Sequence, residues 1–170
     1  EPLEVFWRDG VDACGWHLLS ATILRGGELA VTQNGIRESV RHVVLPMWNT
    51  YSFFTMYANA AVYTAQRRVE SSDPLDQYIL GKLRSLVLEV TSAMDAYDLF
   101  AACCTVRTFL DALTNWYVRR SRERFWSGDP EALHVLWPVL TTLGPAAVPR
   151  SPFPPQPLSR ARGRDVTACP

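Results

Sequence analysis

The residues best suited to chemistry lie in one short run, between Asn115 and Trp126. It holds Asn115, Arg119, Arg120, Arg122, Arg124 and Trp126, with four arginines against a single acid, Glu123. A guanidinium presents a planar fork that can give a phosphate two parallel, charge-assisted hydrogen bonds. An indole offers a flat face on which an unpaired base can stack, and Asn115 supplies both a donor and an acceptor. These residue types suit contact with structured RNA. They also suit a solvated or salt-bridged helix end, because arginines near a helix C-terminus are favoured by the helix dipole. The pattern alone leaves both readings open.

Nothing else in the chain assembles a reaction centre. Asp95 and Asp98 are close, but they fall at a helix boundary, where capping accounts for them. Gly26 and Gly27 are too few to cradle a phosphate. The four cysteines, Cys14, Cys103, Cys104 and Cys169, form no C-x-x-C pair, and Cys103 and Cys104 lie in an Ala-rich stretch where a small apolar side chain packs well. With three scattered histidines besides, no zinc site is expected. Thiols used in this way fit a reducing cytoplasm.

Helices must position the arginine run. Asp73 caps a helix that Pro74 opens, and Leu75, Ile79, Leu83, Leu86, Val90 and Met94 follow along one face. A third helix is expected from Asp98 to about Phe125, with Ala102, Val106, Phe109, Leu110, Leu113 and Tyr117 inward. At about 100° per residue, Asn115, Arg119, Arg122 and Trp126 fall on the opposite face. Arg120 and Arg124 continue the inward line past the last apolar residue, so this helix is expected to project beyond the bundle. Asp129 and Pro130 repeat the capping device before Leu133, Leu136, Trp137, Leu140 and Leu143, with a bend at Pro138. An earlier helix, from about Asn34 to Asn59, is expected to kink between Val43 and Met47 at Pro46. Trp48, Trp116 and Trp137 are read as core residues. Helices joined by short turns make an antiparallel bundle, an all-α fold.

Both ends read differently. Residues 1–32 are broken by Gly10, Gly15, Gly26 and Gly27 and are expected to be short and irregular, with Trp16 to Ser20 helical at most and Leu29 to Val31 extended at most. The first residue is Glu1 and not Met, as in a sequence that starts inside a longer frame. From Gly144 to Pro170 there are seven of the twelve prolines and four arginines against one acid, a composition expected to be disordered. The organisation expected is therefore 1–32 as a remnant segment, 33–143 as a helical bundle and 144–170 as a tail. Hydrophobic residues make up 48% and charged residues 20%, and 17 basic residues balance 17 acidic ones. Overall charge thus points to no polyanion, no apolar run is long enough to span a membrane, and a monomer is expected.

Several longer words are more specific. Leu45-Pro46-Met47-Trp48-Asn49-Thr50-Tyr51-Ser52-Phe53-Phe54, then Tyr57-Ala58-Asn59, resembles the start of the anticodon-binding region of isoleucyl-tRNA synthetases. Asp76-Gln77-Tyr78-Ile79-Leu80-Gly81-Lys82-Leu83 is similar to the next helix of that family, and Asp111 through Trp126 to its most distinctive one. Ile23-Leu24-Arg25-Gly26-Gly27 and Gly35-Ile36-Arg37 fit the stretch after the K-M-S-K-S loop. The resemblance runs in order from about residue 4 to residue 143. It departs at Gly15, where the family usually has Arg, at Ala21-Thr22, where it has Ser-Pro, and after Leu143, where it continues with an apolar helix. A shifted reading frame in a GC-rich gene would produce the tail found there, leaving the bundle incomplete and only marginally stable.

The resemblance implies a helical bundle of the class I synthetase type that takes part in recognising the anticodon stem-loop of isoleucine tRNA through Asn115, Arg119, Arg120, Arg122, Arg124 and Trp126. The family activates isoleucine with ATP and Mg²⁺ in a domain marked by H-I-G-H and K-M-S-K-S, neither of which occurs in these 170 residues. No catalysis and no cofactor are therefore expected of this chain. The competing reading is a helical module for protein interaction with no RNA role.

Overall fold

A computed structural model describes residues 2–27, 31–61 and 70–147. Every regular element among them is helical. The elements are α1 (Pro2–Asp9), α2 (Val11–Leu19), a 3₁₀ turn (Thr22–Arg25), α3 (Gln33–Ser39), a π-helical turn (Val40–Val44), α4 (Leu45–Ala60), α5 (Pro74–Asp95), α6 (Leu99–Asp111), a second π-helical turn (Ala112–Val118), α7 (Arg122–Trp126) and α8 (Pro130–Ala147).

Three aspartates start three helices. The Asp73 carboxylate accepts from the Leu75 backbone N–H at 2.7 Å, Asp98 from Ala101 at 3.0 Å and Asp129 from Glu131 at 2.9 Å. Each satisfies a donor that the first turn of a helix leaves without a partner. Two of these aspartates also help to end the helix before. Asp98 N–H donates to the Ala93 carbonyl at 2.8 Å while Tyr97 N–H donates to Met94 at 3.0 Å. Asp129 N–H reaches Arg124 at 3.0 Å while Gly128 N–H reaches Phe125 at 3.2 Å. This paired closure requires a left-handed residue, and Tyr97 (φ 56°) and Gly128 (φ 75°) supply it. Stop and start signals thus share one residue, which keeps the connections short and the helices antiparallel.

α5 packs along α6, and α8 lies against α4, α5 and α7. The expected inward series of α5 is buried at Ile79, Leu83, Leu86 and Val90, with Leu75 and Met94 packed at its ends. α8 is buried almost all round: Ala132, Leu133, Val135, Leu136, Trp137, Val139, Leu140 and Leu143 are each at most 8% exposed. A helix apolar on every side belongs at the centre of a bundle. Pro138 does not interrupt it, and it continues through Gly144 to Ala147, past the residue 143 boundary expected from sequence. The rest of the expected tail, residues 148–170, lies outside the described residues.

Four other expectations are corrected. The N-terminal segment is not irregular: α1 and α2 form, and Trp16 (3% exposed) carries α2 into the common core against α3 and α6. An apolar anchor of that size outweighs the helix-weakening Gly15. Leu29 and Ala30 lie outside the described residues. Cys104 is exposed although Cys103 is buried, because adjacent residues on a helix point about 100° apart. Trp48 is 54% exposed, since the buried face of α4 runs through Met47, Thr50, Phe54 and Ala58.

At Pro46 the expected kink takes the form of a π turn. Leu45 N–H bonds to the Val40 carbonyl, five residues back, which widens the helix where a proline ring meets the preceding turn. A second π turn, over Ala112–Val118, has no proline to announce it. It leads to the fourth correction. The long third helix does not project. It bends at Ser121, which is fully buried, and Phe125 (2% exposed) on α7 packs on Phe53 at 5.0 Å between ring centres.

Candidate nucleic-acid interface

The second π turn sets the site. One extra residue in a helical turn rotates everything beyond it by about 100°. Phe125 therefore takes the inward position that an unbroken helix assigns to Arg124, and Ser121 takes that of Arg120. Asn115, Arg119, Arg120, Arg122 and Trp126 all reach the surface. Arg124 does not join them.

Arg124 sits instead among three carboxylates. Its two terminal nitrogens bond to the two oxygens of Asp76 at 2.9 Å each, and its Nε bonds to Asp129 at 2.9 Å. Asp73 stands 3.4 Å away. Asp76 is wholly buried and also accepts from Tyr117 Oη at 2.8 Å and from Ser71 Oγ at 2.9 Å. Hydrogen bonding to Asp76 holds the guanidinium above its ordinary value against the opposing effect of burial. Burial, then the Asp76 charge, push the Tyr117 phenol up as well. This cluster ties the starts of α5 and α8 to α7, and it engages all three nitrogens of Arg124.

What remains outside is a row of exposed groups. Trp126 is 82% exposed at the end of α7. Arg119 and Arg122 have no ionic partner among the described residues. Arg120 lies over the Trp116 ring at 5.3 Å, Trp116 meets Tyr78 at 4.3 Å, and Lys82 lies 5.6 Å from the Tyr78 ring centre. Two cations thus flank an aromatic pair that bridges α5 and the π turn, which holds Arg120 and Lys82 on one surface. Asn115 donates to Asp111 at 2.5 Å, so one of its amide hydrogens is engaged and the rest of the group is free to bond outward. Cationic forks beside an exposed indole can take phosphates and a stacked base.

Two parts of this arrangement escape a sequence reading. Asp76 falls in phase with Ile79, Leu83, Leu86 and Val90, and a carboxylate on an apolar stripe must find a buried counter-charge. That signal was available, though it does not say which arginine answers it. The Tyr78–Trp116 bridge leaves no such trace. Trp116 is half-buried, and the aromatic pair carries cations at both ends.

Among the described residues no group of His, Cys, Asp and Glu could hold a metal ion, and no helix is long and apolar enough to cross a membrane. Residues 76–153 match the family model of the anticodon-binding domain of tRNA ligase. Relatives similar to the chain include isoleucine–tRNA ligases of Corynebacterium efficiens (57% identical over 153 residues), Leifsonia xyli (51% over 156) and Mycobacterium tuberculosis (49% over 150). Each match covers 88% of this chain and 14% of the relative, so the chain spans about one seventh of the length of these curated proteins.

Proposed function

We propose that this chain, which belongs to the isoleucine–tRNA ligase family through its anticodon-binding region, binds the anticodon stem-loop of isoleucine tRNA as a monomer and takes no catalytic part. Arg119 and Arg122 grip backbone phosphates, Trp126 stacks on an unpaired loop base, and Arg120 and Asn115 flank them. The observation that carries this reading is the pair of guanidinium groups with no ionic partner among the described residues, on the same stretch as an indole that is 82% exposed. Arg124 supports the surface from within, by holding α7 to Asp76 and Asp129.

A filter-binding titration against the isoleucine tRNA anticodon hairpin, repeated across a range of salt, tests it. Each phosphate contact adds roughly 0.7 to 0.9 to the log–log salt slope. Replacing Arg119 and Arg122 together by Ala should lower that slope by about 2 and weaken binding to every hairpin alike. A wild-type chain that retains no hairpin at low salt overturns the proposal in favour of a protein-interaction module.

A further inference from the structure

The two π turns lie on either side of one cleft. Arg41 and His42 come from the first, Asn115 from the second, and Arg107 and Asp111 from α6 between them, with Pro46 at one edge. The cleft encloses about 660 Å³, room for more than a side chain. Its charge is lopsided. Arg41 and Arg107 are exposed and have no ionic partner among the described residues, while the one acid, Asp111, is engaged by the Asn115 amide at 2.5 Å. Its two threonine hydroxyls are turned inward: Thr108 donates to the Cys104 carbonyl at 3.0 Å and Thr114 to Leu110 at 2.8 Å. The strong donors left facing the opening are the two guanidinium groups and the His42 ring. Two guanidinium groups with no ionic partner among the described residues outweigh the single Asp111 charge and leave the cleft net positive, which favours an anion with several acceptor oxygens.

The cleft also continues the interface already described. Arg107, Asp111, Asn115 and Arg119 are exposed in succession along one helix, so Asn115 belongs both to the cleft and to the row that ends at Trp126. A nucleic-acid backbone laid along that row from Trp126 passes Arg119 and Asn115 and reaches the cleft next.

We propose that the cleft between the two π turns seats a backbone phosphate of the bound RNA, held by Arg41 and Arg107, beyond the phosphates gripped by Arg119 and Arg122. This rests on the RNA-binding reading and extends its footprint onto the α3–α4 arm. The π turn at Pro46 acquires a purpose here, since it sets Arg41 and His42 at the rim facing Arg107.

The test uses the whole chain, a hairpin extended by several base pairs of stem, and the double variant R41A/R107A beside R119A/R122A. Both pairs are exposed, so a urea unfolding curve superimposable on wild type certifies the fold. R41A/R107A should lower the salt slope by about 1, the share of one phosphate, and weaken binding about tenfold at low salt. Replacing single phosphates by neutral methylphosphonates should then reveal one or two positions that weaken the wild type and leave R41A/R107A unchanged. A salt slope unaltered in R41A/R107A while R119A/R122A lowers it overturns the cleft proposal alone. Loss of hairpin binding by the wild type overturns both proposals, and capture of an acidic peptide with no response to RNA assigns the cleft to a protein ligand.

Discussion

Asp76 and Arg124 stand 48 positions apart and meet fork to fork, both oxygens against both terminal nitrogens at 2.9 Å, with the carboxylate fully buried. A buried ion pair is weak evidence of net stabilisation, because desolvation offsets much of the attraction. Breaking one is costly, because it leaves a charge without its partner. Here the Asp76 carboxylate accepts four hydrogen bonds, so its contacts are fully used.

Asp76→Ala should therefore destabilise the chain by about 3 kcal/mol, read as a lower urea midpoint at unchanged m-value. Arg124→Lys should recover only part of what Arg124→Ala loses, because an ammonium cannot make the paired contact. Equal stabilities for the lysine variant and the wild type would refute the two-point geometry.

Tyr117 gives a signature in alkali. Its phenol is held above the ordinary value of 10.0, so the folded chain keeps a proton that the unfolded chain releases. The contribution is complete below about pH 10 and declines above it by about 1.4 kcal/mol per pH unit. Urea midpoints measured from pH 8 to 11 should fall more steeply for the wild type than for Tyr117→Phe. Parallel curves would show that the hydroxyl does not titrate as its burial demands.

Asp98 gives the opposite signature in acid. It bonds to Arg25, and it caps α6 at the Ala101 N–H. The Arg25 bond, then that backbone bond, hold its carboxyl below the ordinary 3.8. Its stabilising effect is thus fully present above the usual carboxylate range and is lost as pH falls through the depressed value. In a carbon-detected titration the Asp98 midpoint should lie below that of a free aspartate and rise in Arg25→Gln. A midpoint indifferent to that change would detach the 3₁₀ turn from α6.

Trp126 separates binding from folding. At 82% exposure its removal should leave the unfolding midpoint within about 0.5 kcal/mol of wild type. Loss of a stacked base should weaken hairpin binding by about 5- to 150-fold, the equivalent of about 1–3 kcal/mol. Unchanged affinity in Trp126→Ala would exclude stacking at this residue.

The sequence made the helix starts plain and the rotation of the site obscure. Asp73, Asp98 and Asp129 act locally, on N–H groups two or three residues away, so their meaning survives in a linear string. The inward series of α5 was equally legible because the helix is regular throughout. The π turn at Ala112–Val118 adds one residue to a turn without proline or glycine to mark it, and it moved Arg124 from the expected exposed set into the ionic cluster. The N-terminal helices were obscured by glycines whose local cost is outweighed by Trp16, a contact made with distant residues.

The place of α8 bears on the order in which the protein can be made. It is the last of the described helices to leave the ribosome, yet α4, α5 and α7 pack against it, and Val135, Leu136, Val139 and Leu140 are all buried. Until those residues emerge, the nascent chain has walls and no central post, and its apolar inner faces stand open to water. Docking of α4 and α5 must therefore wait for the end of this stretch, and a ribosome that pauses near Asp129 holds a chain that a chaperone would have reason to cover.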